Sequence, residues 1–140
     1  MPTKPEAVLL DTSAALALVT PGNDLHEQAQ ARLRGHRLGL AGHATFETYS
    51  VLTRLPGQQR LTAAGARRLI ETNFPASVHL DAEDSATMLA RLTAAGVSGG
   101  AVYDGLVAAA AKAAGLLLVS SDRRAAETYL ALGVQFELLG

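Results

Sequence analysis

The chain contains no cysteine, which excludes both disulfides and thiolate-bound zinc as supports for its fold. A reducing cytoplasm is the location that suits such a chain. It also lacks any uncharged apolar run of the roughly 18–20 residues a membrane helix needs. The stretch from Ala7 to Val19 comes nearest to a signal-peptide core, but Asp11 interrupts it and Lys4 is the only basic residue ahead of it. Export is rejected on that ground, and neither a membrane span nor a membrane partner is expected. An excess of one charge is missing too: 12 basic and 13 acidic residues leave a net charge of −1. No global field would therefore hold a polyanion, and any nucleic acid must be captured locally. All basic residues except Lys4 and Lys112 are arginines, with small groups at Arg32/Arg34/Arg37, Arg67/Arg68 and Arg123/Arg124. Arginine suits forked contacts to phosphate or carboxylate, although such groups also serve as plain solvated surface. No phosphate-cradling or dinucleotide-binding glycine pattern follows a strand. His26, His36, His43 and His79 are scattered, with no pair at zinc-ligand spacing.

What is present is a well-populated core. The chain has 140 residues, 49% of them hydrophobic and 18% charged, with no linker or charge block dividing it. That length supports one domain over residues 1–140 and is too short for two ordinary ones. Disorder is not expected. Five short apolar runs alternate with stretches of helical spacing, the pattern of an α/β fold around a mainly parallel five-stranded sheet. The expected strands are Ala7–Asp11, Arg37–Ala41, Ser77–Leu80, Leu116–Ser120 and Val134–Leu138. The first and fourth are the most apolar, as central strands should be. Asp24, Thr62 and Asp81 are placed to start helices. The first of these would run to about Gly35 with Leu25, Ala29 and Leu33 on one face. The second ends at Phe74-Pro75. The third turns Met88, Leu89 and Leu92 to the core and stops at Gly96. Two more helices carry Glu47, among core positions Phe46, Val51 and Leu52, and Asp104. A last one follows Asp122, with Ala126, Tyr129 and Leu130, and closes at Gly133.

Four acids fall where an apolar stretch begins, ends or is interrupted: Asp11, Glu47, Asp104 and Asp122. A carboxylate on an apolar element is costly to bury unless paired, hydrogen-bonded or bound to a cation. Each has an ordinary alternative: helix capping for Asp11 and Asp122, a surface position in a first turn for Glu47, and a structural hydrogen bond for Asp104. One reading covers all four, a site for a divalent cation. In a parallel sheet, ligands bind beyond the carboxyl ends of the strands where strand order reverses, and Asp11 and Asp122 stand at two such ends. If the first and fourth expected strands are neighbours, both face one crevice, and helices starting there bring Glu47 and Asp104 to it. Carboxylates are hard ligands that suit Mg²⁺ or Mn²⁺, and such an ion can activate water against a phosphodiester. Thr12, beside Asp11, and Ser120 and Ser121, before Asp122, offer hydroxyls to orient the acids.

At this point the sequence resembles the PIN-domain family, and within it the VapC-type toxin ribonucleases of bacterial toxin–antitoxin pairs. The matching pieces are Val8-Leu9-Leu10-Asp11-Thr12-Ser13-Ala14, Phe46-Glu47 with Val51-Leu52-Thr53-Arg54-Leu55, Tyr103-Asp104-Gly105-Leu106-Val107-Ala108-Ala109-Ala110, and Leu117-Leu118-Val119-Ser120-Ser121-Asp122-Arg123-Arg124-Ala125. Their order and spacing span essentially the whole chain. The resemblance implies an α/β/α sandwich with Asp11, Glu47, Asp104 and Asp122 as the metal-binding set. It also implies Mg²⁺- or Mn²⁺-dependent cleavage of RNA, such as tRNA or another structured RNA. It further implies a homodimer, and a cognate VapB-type antitoxin whose tail enters the acidic groove and through which alone DNA would be contacted. The family often has a threonine just before the last acid, where this chain has Ser120 and Ser121. It more often has alanine after the third acid, so Gly105 is expected to loosen that helix slightly.

Two other classes are weighed against this. A receiver domain or aspartyl-phosphate enzyme would use Asp11 as phosphoryl acceptor. It needs a lysine near a late strand end or a second aspartate two residues after the first, and Ser13 occupies that position. A PIN-like binding or regulatory module without catalysis is opposed by the intact set of acids. The reading adopted is a toxin endoribonuclease with Asp11, Asp104 and Asp122 as ligands and Glu47 as ligand or base. Water as nucleophile leaves 5′-phosphate and 3′-hydroxyl ends, and Arg54, Arg123 and Arg124 are candidates to hold the strand.

Overall fold

The computed structural model describes residues 6–140; Lys4 lies outside the described residues. β1 (Ala7–Leu10) leads into α1 (Thr12–Val19), α2 (His26–Leu33) and β2 (Arg37–Leu40). Then come α3 (Ala44–Leu52), α4 (Ala63–Asn73), α5 (Ala82–Ala94) and α6 (Ala101–Ala114), and the chain closes with β3 (Leu118–Ser120), α7 (Ala126–Leu132) and β4 (Phe136–Leu138). The strands form one parallel sheet in the order β2-β1-β3-β4. The most apolar strands are the inner ones: Leu9, Leu10, Leu118 and Val119 have no solvent exposure, as expected of parallel strands covered on both faces. From β1 the chain builds outward to β2, and later from β3 outward to β4. Strand order therefore reverses between β1 and β3, where Leu9 pairs with Leu118 and Leu10 with Val119.

The fifth strand expected at Ser77–Leu80 does not form. Its segment runs along the free edge of β2, where the Ala76 N–H donates to Leu38 O (2.9 Å), Val78 N–H to Leu40 O (3.1 Å) and Gly42 N–H to Val78 O (2.8 Å). Only an isolated parallel bridge, Ala41 to Val78, results. The Ser77 hydroxyl is the reason, because its Oγ accepts the Leu40 N–H at 2.8 Å, where a neighbouring strand would present a carbonyl. Gly39 permits this close docking, since a Cβ there would lie 2.2 Å from Ala76 O.

Other boundaries differ in ways that side chains explain. α2 starts at His26 and not at Asp24, because Asn23 Oδ1 accepts the Leu25 N–H at 2.9 Å and holds a turn there. Thr62 and Asp81 cap α4 and α5 by accepting from Gly65 N at 3.0 Å and Asp84 N at 2.7 Å. Gly96 and Gly133 end α5 and α7 in left-handed conformations, with φ of 71° and 72°. On α5 only Met88 and Leu92, one turn apart, pack with Ala109 of α6. Leu89 points about 100° away and is 79% exposed. Phe46, read from sequence as a core position, is 63% exposed. Gly105 has a packing role: a Cβ there would meet Leu92 Cδ2 at 2.6 Å, so its absence lets α5 seat against α6.

Adding a methyl at Gly39 forces it into the backbone of Ala76. Gly39→Ala should therefore destabilise the protein by about 1–3 kcal/mol, read as a lower midpoint in denaturant or thermal unfolding. Gly22→Ala, where a Cβ would meet nothing within 4 Å, should stay within about 0.5 kcal/mol of the parent.

Candidate active site

Asp11 is the first residue beyond β1, and its N–H donates to Val119 O at 3.1 Å, which ties it to β3. The residue is 4% exposed, and both of its carboxylate oxygens accept hydrogen bonds. Oδ1 accepts from Ser13 Oγ at 2.6 Å and from Ala14 N at 3.0 Å, while Oδ2 accepts from the Tyr129 hydroxyl at 2.7 Å. The Ala14 bond caps α1, so capping and a place in the site are not exclusive for this residue. The hydroxyl that orients Asp11 is that of Ser13, whereas Thr12 Oγ1 is buried without a partner. Ser13 and Ser120 hydroxyls lie 3.3 Å apart, Ser121 N–H donates to Ser13 Oγ at 2.9 Å, and Asp122 N–H donates to Ser120 Oγ at 3.0 Å. The ends of β1 and β3 are thus stitched together by serines.

Asp122 shapes its own turn by accepting the Arg124 N–H at 2.9 Å, and α7 begins later, at Ala126, without a side-chain cap. Glu47 is exposed in the first turn of α3, and Asp104 is half-buried in the first turn of α6. The other three acids are all felt at Asp104. Its carboxyl is pushed up to about 6, first by burial and then by the charges of Asp122, Asp11 and Glu47, with Arg124 opposing. Burial first, and then the Asp11 charge, raises the Tyr129 hydroxyl far above its ordinary range, which keeps it a neutral donor. Arg124 Nε stands 3.7 Å from Asp122 Oδ1 with its side chain 96% exposed, a contact of little worth in water. Arg123 is exposed beside it, while Arg54 follows the C-terminal end of α3, remote along the helix from Glu47.

Among the described residues no three His, Asp or Glu side chains stand close enough to hold an ion as they are placed. Coulombic influence reaches well beyond ligand distance, and uncompensated carboxylates repel one another, so the two observations agree. The donor chemistry fits a hard divalent cation. Asp11 Oδ2 keeps an acceptor site after its one bond, and Glu47, Asp104 and Asp122 can present further oxygens. A concavity of about 540 Å³ between α3 and α4, walled by Phe46, Tyr49, Ala63 and Ile70, contains none of the four acids.

Sequence reasoning missed Ser13 and Tyr129. Ser13 figures in the first matching stretch and as the lack of a second aspartate, with the orienting hydroxyl assigned to Thr12 beside it, although its place two residues after a buried acid was the available signal. Tyr129 reads from sequence only as a residue of the last helix, and the packing of α7 alone reveals its hydroxyl on Asp11.

Tyr129→Phe leaves Asp11 buried with one donor fewer, and should cost about 1–3 kcal/mol in denaturant unfolding. For Asp104 the folded protein holds a proton up to about pH 6 that the unfolded chain releases near 3.8. Its contribution is thus most favourable below pH 3.8 and is lost as pH rises through 6. In chelator, Asp104→Asn should raise the thermal midpoint at pH 7 and flatten its fall between pH 4 and 6. The gain over the parent should shrink towards pH 4.

A PIN domain family model matches residues 8–130. Ribonuclease VapC27 of Mycobacterium tuberculosis is 39% identical over 125 residues, covering 89% of this chain and 91% of that protein. The fold is shared with FitAB bound to an IR36 DNA fragment (TM-score 0.72, 19% identity, 94% of each chain covered). It is shared as well with VapBC2 from Rickettsia felis bound to a DNA fragment from its promoter (TM-score 0.67, 12% identity, 96% and 99% covered). The order of strands, the acids gathered where that order reverses, and these similarities lead to one assignment: the chain belongs to the PIN domain family, in its VapC branch.

Proposed function

We propose that the chain is the toxin of a toxin–antitoxin pair, a Mg²⁺- or Mn²⁺-dependent endoribonuclease that hydrolyses phosphodiesters in tRNA or another structured RNA. The observation that carries this reading is the gathering of Asp11, Glu47, Asp104 and Asp122 around the β1–β3 reversal. They are close enough that, after burial, the charges of the other three help push Asp104 up to about 6, in a chain 39% identical to Ribonuclease VapC27.

Asp11, Asp104 and Asp122 would hold the ion, with Glu47 as a further ligand or as the base. Bound there, a divalent cation supplies charge neutralisation at the phosphate and a lowered pKa for water. The chain's own contribution is positioning. Ser13, the α1 N-terminus and Tyr129 fix Asp11, Ser120 anchors the Asp122 backbone, and both acids are tied to the carboxyl ends of β1 and β3. Glu47, exposed at the rim, is free to take the proton of the attacking water. Attack of water forms the new bond to phosphorus as the bond to the 3′ oxygen breaks, and that oxygen takes a proton from solvent, leaving 5′-phosphate and 3′-hydroxyl ends. Arg123 and Arg124 lie where a strand leaving Asp122 could be held.

A homodimer and a VapB-type antitoxin accompany this reading, with DNA contacted only through the antitoxin. The shared fold of the FitAB and VapBC2 assemblies supports that partner. Among the described residues no helix is long and apolar enough to cross a membrane, in keeping with the cytoplasmic placement we propose.

The test is cleavage of an RNA panel including tRNA by antitoxin-free protein with Mg²⁺ or Mn²⁺. Discrete cuts should vanish in chelator and in Asp11→Asn. Glu47→Gln, an exposed change whose circular dichroism should match the parent's, should lower the rate on the order of 10²–10⁴-fold. Cuts that persist in chelator, or no cuts from folded protein with metal, would overturn the proposal.

A further inference from the structure

Aromatic residues are few, with three phenylalanines, three tyrosines and no tryptophan, and their distribution is uneven. Phe74 and Tyr129 are buried, and Phe136 packs edge-on against Tyr129 with ring centroids 5.6 Å apart. The other three, Phe46, Tyr49 and Tyr103, are exposed, and two of them directly precede a site acid: Phe46 before Glu47 and Tyr103 before Asp104. Tyr103 stacks on His43 with centroids 4.9 Å apart and ring planes at 23°. His43 immediately precedes α3, and its carbonyl accepts the Glu47 N–H at 3.1 Å, one turn away. The stacked pair therefore bridges the starts of α3 and α6, the same two helix ends that bring Glu47 and Asp104 to the site. Tyr103 remains 53% exposed in that stack.

We propose that the Tyr103–His43 pair is a base-stacking platform, receiving the face of an unpaired nucleobase next to the phosphodiester held at the acids. The inference rests on the nuclease reading and names its substrate class as RNA unpaired at the cleaved position. Every base has a π-face that an aromatic ring can cover, and in a duplex those faces are already covered by neighbouring bases. The rings stand at the starts of the two helices that carry Glu47 and Asp104, and charged residues are depleted from the cores of protein–protein interfaces. A nucleotide is the better fit because it offers an apolar face to the rings and an anionic phosphate to a metal-loaded acidic site. His43 pre-orders the Tyr103 ring, so little side-chain freedom is lost when a base arrives.

Equilibrium binding tests this without depending on cleavage. A short single-stranded RNA carrying 2-aminopurine is titrated with the Glu47→Gln protein in Mg²⁺, and quenching of the base reports stacking. Quenching is expected. Adding Tyr103→Leu should abolish it and weaken binding about 5- to 150-fold, and Tyr103→Phe, which keeps the ring, should rescue both. In the otherwise unsubstituted enzyme, Tyr103→Leu should raise KM far more than it lowers kcat. A duplex of the same sequence should show no Tyr103-dependent quenching. The platform is overturned if RNA fails to bind, binds without quenching, or is quenched equally by Tyr103→Leu. It is also overturned if sedimentation shows Tyr103→Leu abolishing self-association while RNA binding is unchanged, which would assign the rings to a protein interface. A parent protein that cuts RNA while these arms fail leaves the nuclease standing and removes the platform. Quenched binding without any cleavage does the reverse.

Discussion

Asp11 is held by donors from separate parts of the chain: Ser13 and the Ala14 N–H at the start of α1, and the Tyr129 hydroxyl more than a hundred residues later on α7. A carboxylate this buried would be prohibitively costly if unpaired, so its donors and the elements carrying them are mutually fixed. Through its backbone bond to Val119 it also belongs to the β1–β3 pairing. That pairing creates the reversal in strand order, and the reversal opens the crevice at the carboxyl ends of the strands. Sheet topology and site geometry are two aspects of one arrangement.

The surrounding acids show the opposite balance. Asp11 is satisfied by hydrogen bonds, whereas Asp104 is half-buried among like charges and is pushed up to about 6. The fold thus keeps Asp11 rigid and leaves Asp104 electrostatically unsatisfied, which is the arrangement a cation would relieve. Glycine and alanine make it possible at close quarters. Gly105 admits Leu92 directly beside Asp104, and Ala108 to Ala111 let α6 sit deep in the core.

Much of this was legible in the chain. Alternation of apolar runs with helical spacing, and the greater apolarity of β1 and β3, correspond to inner strands buried on both faces. Caps at Thr62 and Asp81 and stops at Gly96 and Gly133 are local effects, and the structure has them where the residues indicated. The errors arose where a local signal was overruled by packing. Ser77–Leu80 has strand-like residues, but the Ser77 hydroxyl intercepts a ladder bond. Phe46 and Leu89 are apolar on helices whose core-facing stripe is too narrow to include them.

By itself the sequence determined most of the element types, the parallel α/β class and the presence of four acids at element ends, because these depend on residue type and on spacing along one segment. Only the tertiary structure decided that β1 lies beside β3, that Ser13 rather than Thr12 touches Asp11, that Tyr129 aims its hydroxyl at that carboxylate, and that Tyr103 lies on His43. Each of these contacts joins segments, or chooses between adjacent side chains, according to how helices dock on the sheet. No periodicity within a single segment encodes the distance between two that are far apart in the chain.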